Sequence, residues 1–181
     1  NCLDDNIGRF LDAMDRLKLR DNTMIVYFSD NGGPPTNGAW NLPLTGSKFT
    51  LWEGGIRVPF ILSRPKDPNA GKVWAQPTSA LDVMPTILDA ASIPIPDGLD
   101  GQVIAKSESQ AKRNLYWNLN GSYALRSGDW KLLSNASFSG RKPTSGVVYR
   151  SAYAKGTRLF NLNDDPGESK DLSQSHPEVA Q

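Results

Sequence analysis

The sequence predicts an α/β fold followed by a small antiparallel sheet. An amphipathic helix and two apolar strands, separated by a long polar loop, make up the first part of this pattern. From residue 114 the sequence pattern changes to short apolar runs between turn residues, which is typical of an antiparallel meander. We therefore expect an α/β part over residues 1–105 and an antiparallel-sheet α+β subdomain over residues 106–181.

Composition restricts the class of protein. With 181 residues, 38% of them hydrophobic, the chain is long enough for one domain, or for part of a larger domain with a small appendage. Twenty basic and nineteen acidic residues leave a net charge of +1, so the overall charge does not favour binding to nucleic acid or to an anionic membrane. The apolar runs are far shorter than the roughly 20 residues that span a bilayer, so no membrane span is expected. Composition leaves the oligomeric state open.

The first predicted element is a helix. Apolar residues recur at spacings of three and four from Leu3 to Leu17, and the early carboxylates suit the positive first turn of a helix. The single cysteine, Cys2, cannot form an internal disulfide, and we expect it to be a buried apolar contact. The chain starts at Asn1 without a signal-peptide pattern, which fits a mature or truncated N-terminus.

The next elements are two strands and a second helix. Residues 23–29 and 56–63 are rich in branched and aromatic side chains, and we expect both to be strands buried on both faces. Asp82 is predicted to cap a helix that has Pro85 in its first turn and ends near Ala91.

The C-terminal part is predicted to form the meander. Trp117 and Trp130 alternate with polar residues, so we expect both in the core. The only histidine, His176, precedes a proline in a polar tail and is expected in a surface cap or loop. Asn120 and Asn135 begin triplets that match the glycosylation pattern, but such triplets arise often by chance.

Oxygen donors follow the first strand. Asp30 and Asn31 supply a carboxylate and an amide oxygen, which suit a hard cation such as Ca²⁺. The end of a strand is also where open α/β sheets bind ligands. Asp-Asn-Gly-Gly is equally an ordinary turn, and on this tetrapeptide alone the turn is the favoured interpretation.

A lysine in a loop of small and apolar residues is the candidate anion ligand. Lys48 supplies three donors on a compact charge, which suits a sulfate oxygen beside a divalent metal; the alternative is a solvated surface lysine. Glu53 and Arg57 are expected to form a structural ion pair, and the glycines between them to allow close packing. Trp40 and Asn41 fit either a sugar-binding rim or loop packing.

Collinear motifs carry a family resemblance. The runs NTMIVYFSDNGG and PLTGSKFTLWEGGIRVPFI resemble the second signature region of the sulfatases, in the alkaline-phosphatase-like superfamily. Other similar runs are LDDNIGRFLDAMDRL, LDVMPTILDAASI, NLYWNL, ALRSGDWKLL and LFNLNDDPGESKDL. The resemblance implies the C-terminal part of a mixed sheet flanked by helices, followed by the small subdomain.

The resemblance also implies chemistry. It makes Asp30 and Asn31 ligands of Ca²⁺, and Lys48 a catalytic and substrate-binding residue that contacts the sulfate of an ester, by family habit that of a sulfated carbohydrate. Related phosphodiesterases have Asp-His at the position of this Asp-Asn pair, which favours a calcium sulfatase over a zinc enzyme. A periplasmic, secreted or lysosomal location is implied by the resemblance alone.

The sequence departs from the family pattern in its missing nucleophile motif, in its missing early Asp-Asp metal pair, N-terminal histidines and lysine, and at one loop position. Sulfatases use a formylglycine made from the first residue of Cys/Ser-x-Pro/Ala-x-Arg, and Cys2 lacks this context, so the nucleophile is expected upstream of Asn1. Phe49 stands where the family more often has glycine. We therefore expect this chain alone to be inactive; we also expect it to fold poorly, because its two central strands lack the neighbouring elements that would cover them. The rival interpretation is a catalytically inactive binding or structural module.

Overall fold

The computed structural model describes residues 2–34, 36, 38–104, 113–134 and 156–180. Two compact units are present, one of residues 1–28 and 60–110, the other of residues 29–59 and 111–181. The predicted boundary between residues 105 and 106 falls outside the described residues and stays a prediction. Asn135 also lies outside them.

The first unit begins with the predicted helix, α1, which spans Cys2–Arg16 and is followed by a 3-10 turn at Arg20–Asn22. Met14 is the buried residue of this helix. The prediction that Cys2 is buried is wrong, because Cys2 is exposed. It shares a helix face with Asn6, whose side-chain amide donates to the Cys2 carbonyl over 2.7 Å, and this face is polar.

A two-stranded antiparallel pair forms the sheet of this unit. Strands β1 (Ile25–Phe28) and β2 (Phe60–Ser63) pair with Phe28 opposite Phe60, and these two rings lie 5.4 Å apart. Burial on both faces was predicted and is wrong for this chain, since 39% of Tyr27 and 59% of Ile61 are exposed. In the described part of the chain each strand has only the other as a sheet neighbour.

The second predicted strand begins later than expected. Residues 53–56 form a helical turn, α2 (Glu53–Ile56), so β2 starts at Phe60 rather than at residue 56. Gly54 and Gly55 allow this turn, because both are buried where a side chain would overlap neighbouring backbone. The apolar composition of residues 56–59 misled the prediction.

Helix α3 (Val83–Ala90) confirms the second helix, but its start is capped differently from the prediction. A 3-10 turn at Ala80–Asp82 precedes it, and Ser79 is the capping residue of that turn. The Asp82 carboxylate accepts the N–H of Ser79 over 2.7 Å and that of Gln102 over 2.8 Å, and makes no cap hydrogen bond to α3. Of the described helices, none is long and apolar enough to cross a membrane.

The second unit contains the predicted meander. Strands β3 (Asn114–Leu119), β4 (Ser122–Ser127), β5 (Trp130–Ser134) and β6 (Thr157–Asn161) pair antiparallel in sequence order. The β3–β4 hairpin turns at Asn120 and Gly121, both at positive φ (49° and 81°), as two-residue hairpin loops require. The hairpin turn is therefore a structural reason for asparagine at position 120, the first position of the glycosylation-like triplet.

The core of this unit joins the meander to the segment that follows Lys48. Trp52 is fully buried, and its ring lies 5.5 Å from that of Phe160. Trp117 packs against this core, which confirms its predicted role. The members of the core are Leu51, Trp52, Ala124, Leu133, Phe160 and Leu162.

Trp130 was predicted to be a core residue, and this is wrong. Its ring lies 5.3 Å from that of His176, which sits in the turn-rich tail as predicted. Side chains alternate between the two faces of a strand, and on β5 the buried positions are Lys131 and Leu133. The sequence pattern had assigned the aromatic residue to the inner face, where a lysine lies instead.

Candidate active-site loops

The Asp-Asn-Gly-Gly segment bends after β1 and lies beside the glycine pair Gly54-Gly55. The Gly32 N–H donates to the Gly55 carbonyl over 2.9 Å, and a side chain at Gly32 would overlap the Gly54 carbonyl. Within the described residues, neither the Asp30 carboxylate nor the Asn31 amide makes a hydrogen bond or ion pair to protein. The segment therefore bends here and leaves two oxygen donors available to a ligand.

Asn41 ties this bend to the loop that carries Lys48. Its side-chain oxygen accepts the Gly33 N–H over 3.0 Å, and its amide donates to the carbonyls of Gly33 (2.9 Å) and Gly46 (3.3 Å). The Lys48 N–H also donates to the Gly33 carbonyl, over 3.4 Å. Loop packing is therefore the role of Asn41. Trp40 remains a candidate for the rim, because 71% of it is exposed.

The loop of residues 45–53, called the Lys48 loop below, is held by internal hydrogen bonds. The Thr50 hydroxyl donates to the Ser47 carbonyl over 2.8 Å, and the Ser47 N–H donates to that hydroxyl over 3.1 Å. Both residues are buried, whereas Lys48 is half-buried and its ammonium lies 5.5 Å from the centre of the Phe49 ring. The loop is held by hydrogen bonds between its buried residues, and Lys48 is partly exposed.

Phe49 stands where the family more often has glycine, and its backbone conformation is the one that glycine favours. Its φ is 71°, in the left-handed region that glycine adopts freely and other residues adopt at a cost of about 1–2 kcal/mol. The position therefore keeps the backbone conformation that favours glycine although the side chain has changed. The sequence alone left the loop shape open at this point.

Three buried charged side chains meet at the end of the loop. The Lys131 ammonium lies 2.9 Å from a Glu53 carboxylate oxygen and 2.8 Å from one of Glu168, and all three residues are at most 2% exposed. The predicted pair of Glu53 with Arg57 is present at 3.8 Å, but it is the weaker contact, because the Arg57 side chain is 53% exposed. Sequence reasoning missed Lys131 and Glu168.

Burial alters the ionisation of this cluster. It raises the pKa of Glu168 to about 7, from an ordinary value of 4.5, against the opposing effects of the Lys131 charge and of hydrogen bonds from Lys131 and the Glu53 N–H. The neighbouring Glu53 carboxylate raises the pKa of Glu168 further. Two carboxylates thus share one ammonium in a site nearly closed to water.

A five-residue run in the meander matches the spacing of the formylglycine motif. Ser122, Ala124 and Arg126 follow the Ser-x-Ala-x-Arg pattern, which the sequence analysis did not notice. Ser122 is 4% exposed at the start of β4, paired with Leu119 of β3. A hydroxyl buried in a hairpin is a poor nucleophile for an external substrate, so the match is best explained by the strand.

Asp30 and Asn31 are the candidate metal ligands of this chain. Among the described residues, no group of three or more His, Cys, Asp or Glu side chains could hold a metal ion. Asp30 and Asn31 offer hard oxygens, which fit Ca²⁺ better than a metal that prefers imidazole or thiolate.

Comparison with known proteins shows the family. Residues 1–93 match the family model described as "Sulfatase". The chain is 32% identical to mouse arylsulfatase J over 99% of its own length, and 26% identical to an N-acetylgalactosamine-6-O-sulfatase of Bacteroides thetaiotaomicron over 98%. The crystal structure of Ps i-CgsB in complex with k-i-k-neocarrahexaose superposes with a TM-score of 0.79 at 31% identity, over 98% of this chain.

The chain belongs to the sulfatase family, and its fold is that of a C-terminal part of an alkaline-phosphatase-like enzyme. It spans 36% of the length of arylsulfatase J and 38% of Ps i-CgsB. Membership implies a metal and a formylglycine in general terms.

Proposed function

We propose that this chain is part of a calcium-dependent sulfatase that hydrolyses sulfate esters. The observation that carries the proposal is the set of hydrogen bonds through Gly33 and Asn41, which ties the Asp30-Asn31 bend to the Lys48 loop. A pair of hard oxygen donors and a lysine ammonium are thereby held on neighbouring backbone segments. This is the arrangement needed to bind a cation and the anion that the cation attracts.

Each residue has a separate role in the proposal. Asp30 supplies a charged oxygen and Asn31 a neutral one to Ca²⁺. A bound Ca²⁺ would neutralise and polarise the sulfate oxygens. Lys48 donates hydrogen bonds to a sulfate oxygen and stabilises the negative charge that develops there as the ester bond breaks. Lys48 can reach a ligand because it is partly exposed on a loop that is held by its own hydrogen bonds.

The nucleophile is proposed to come from residues outside this chain. Cys2 lacks the motif and lies exposed on α1, and the motif-like Ser122 is buried in β4. Further support is that the chain spans little more than a third of the relatives described above. The exposed apolar side chains of β1 and β2 fit a sheet that continues in the longer protein.

The proposed substrate class is a sulfated carbohydrate. One relative is named for N-acetylgalactosamine 6-O-sulfate chemistry, and a similar structure was solved with a neocarrahexaose. In this chain, Trp40 has an exposed ring next to Asn41, whose side chain is held by hydrogen bonds. Aromatic faces pack well on sugars. Trp40 is therefore the residue we expect to contact the sugar.

The activity can be tested with two lengths of protein. We expect the full-length form to hydrolyse an aryl sulfate in the presence of calcium, to lose this activity on chelation, and to recover it when calcium is restored. The 181-residue chain alone should show no turnover, because the proposed nucleophile is missing.

Three results would contradict the proposal. Turnover by the chain alone, abolished by Ser122→Ala, would place the nucleophile within these residues. Zinc-dependent cleavage of an aryl phosphodiester without sulfatase activity would indicate a phosphodiesterase. No turnover by the full-length form with any of these substrates would favour a binding module.

A further inference from the structure

Two consecutive residues of the C-terminal tail hold both ends of the Lys48 loop. The Thr45 hydroxyl donates to the Gly167 carbonyl over 2.6 Å. The Glu53 N–H donates to a Glu168 carboxylate oxygen, also over 2.6 Å. Lys48 lies between these two contacts, so the tail fixes the path of the backbone that carries it.

The tail is itself shaped to direct Glu168 inwards. The Glu168 N–H donates to the Asp165 carbonyl over 3.1 Å, and the Asp165 carboxylate accepts the Ser169 hydroxyl (3.0 Å) and the Lys170 N–H (2.8 Å). Glu168 adopts a left-handed φ of 55°, which is costly for a residue with a side chain. Its carboxylate is buried as a result, while Ser169 and Lys170 remain exposed.

Lys131 completes the contact from the opposite side. It projects from the buried face of β5 and reaches Glu53 and Glu168 at 2.9 and 2.8 Å. Arg57 also contacts the cluster, 3.8 Å from the other Glu53 oxygen. In such a site, removing one charged side chain leaves the buried charge of its partner uncompensated. Each member of the cluster therefore holds the others in place.

We propose that Glu168, supported by Lys131, is a positioning residue for Lys48: it anchors the end of the Lys48 loop through the Glu53 N–H and so places the ammonium. The role assigned to Lys48 rests on the proposed function. The anchoring of the loop does not, because it follows from the contacts alone.

The anchor should weaken as pH rises. Glu168 has a pKa of about 7 in the folded chain against about 4.5 in an opened one, so between these values the closed form keeps a proton that the opened form has lost. This advantage of the closed form is therefore fully present at and below about pH 4.5, is lost as pH rises to about 7, and changes little above it. Among the described residues, the ionisable side chains in contact with Glu168 or with its partner Glu53 are Lys131, Glu53 and Arg57.

Hydrogen exchange tests the anchor without reference to activity. In the full-length protein, protection factors of the Lys48 loop amides, corrected for intrinsic exchange, should fall by roughly tenfold or more between pH 5 and pH 7.5. Glu168→Gln keeps the shape and abolishes the titration, so protection should become independent of pH. Glu178→Gln, an exposed glutamate of the same tail, is the matched control and should behave as wild type.

A double-mutant cycle tests whether the anchor acts through Lys48. Glu168→Ala should lower kcat for an aryl sulfate by about tenfold to hundredfold, the order expected for a misplaced catalytic group, and Glu168→Gln should restore most of it. In a Lys48→Ala background the same Glu168→Ala change should have little further effect on kcat. A purely structural role would lower kcat in both backgrounds.

The outcomes separate this proposal from the proposed function. The anchor would be overturned if the hydrogen-exchange protection of the Lys48 loop amides changed neither with pH nor in Glu168→Gln. It would also be overturned if the effects of Glu168→Ala and Lys48→Ala on kcat were additive. If Glu168→Ala does not fold, the exchange measurements on Glu168→Gln decide. A protein that shows the predicted exchange but no sulfatase activity would keep the anchor and remove the proposed function.

Discussion

Asp30→Ala should abolish calcium binding by the full-length protein. Asp30 is the proposed charged ligand from this chain, and a hard divalent cation depends on such oxygens. Within the described residues its carboxylate has no protein partner, so its removal breaks no contact that holds the bend. Titration calorimetry should show no heat of calcium binding at the site, with the thermal unfolding of the calcium-free protein unchanged.

Companion variants sharpen this prediction. Asn31→Ala removes a neutral donor and should weaken calcium binding without abolishing it, because one ligand oxygen is lost and no charge. Asp21→Ala, an exposed aspartate in the 3-10 turn after α1, is the control and should bind as wild type. Wild-type affinity in Asp30→Ala would exclude this residue as a ligand.

Lys48→Ala should lower kcat for sulfate-ester hydrolysis by about 10²-fold or more, the order found when one preorganised charge stabiliser is lost. The change should leave folding nearly intact, since the Lys48 ammonium only approaches the Phe49 ring, at 5.5 Å, and the loop is held by Ser47 and Thr50. Steady-state kinetics on an aryl sulfate, with circular dichroism as the check on folding, measure both effects.

The matched control is Lys170→Ala, which removes an exposed lysine of the same unit and should leave kcat unchanged. Its backbone N–H, which contacts Asp165, is kept in this variant. If Lys48→Ala were as active as Lys170→Ala, Lys48 would be a surface lysine with no part in the reaction.

The regular elements were predictable because their patterns are local. Period-3.6 spacing found α1, and alternating runs bounded by turns found all four meander strands. The same rules failed where a local conformation overrides composition. The second strand was predicted from residue 56, but Ile56 ends the helical turn α2 and β2 begins at Phe60.

The supports of the candidate site could not be predicted, because they join residues far apart in sequence. Thr45 and Gly167 are separated by 122 positions, and Glu53 and Glu168 by 115. No periodicity relates such residues, and only the fold brings them together. Asn41 is closer in sequence to the residues it contacts. The sequence suggested either a sugar-binding rim or loop packing for it, but neither interpretation specifies that its amide donates to two backbone segments.

One signal was present and was read the wrong way. In the run Trp130–Ser134, Lys131 and Leu133 share a face, so a core containing Leu133 also contains the lysine. A buried lysine needs anionic partners, and asking for them would have led to the acidic residues of the tail. The hydrophobicity of Trp130 instead favoured the opposite face.

The most direct test of the account is a structure of the full-length protein with calcium and a bound, unreactive sulfate ester. We expect the cation about 2.3–2.6 Å from oxygens of both Asp30 and Asn31. The Lys48 Nζ should lie about 2.7–3.0 Å from a sulfate oxygen. A cation bound elsewhere, with Asp30 still turned to solvent, or a sulfate held without Lys48, would contradict the account.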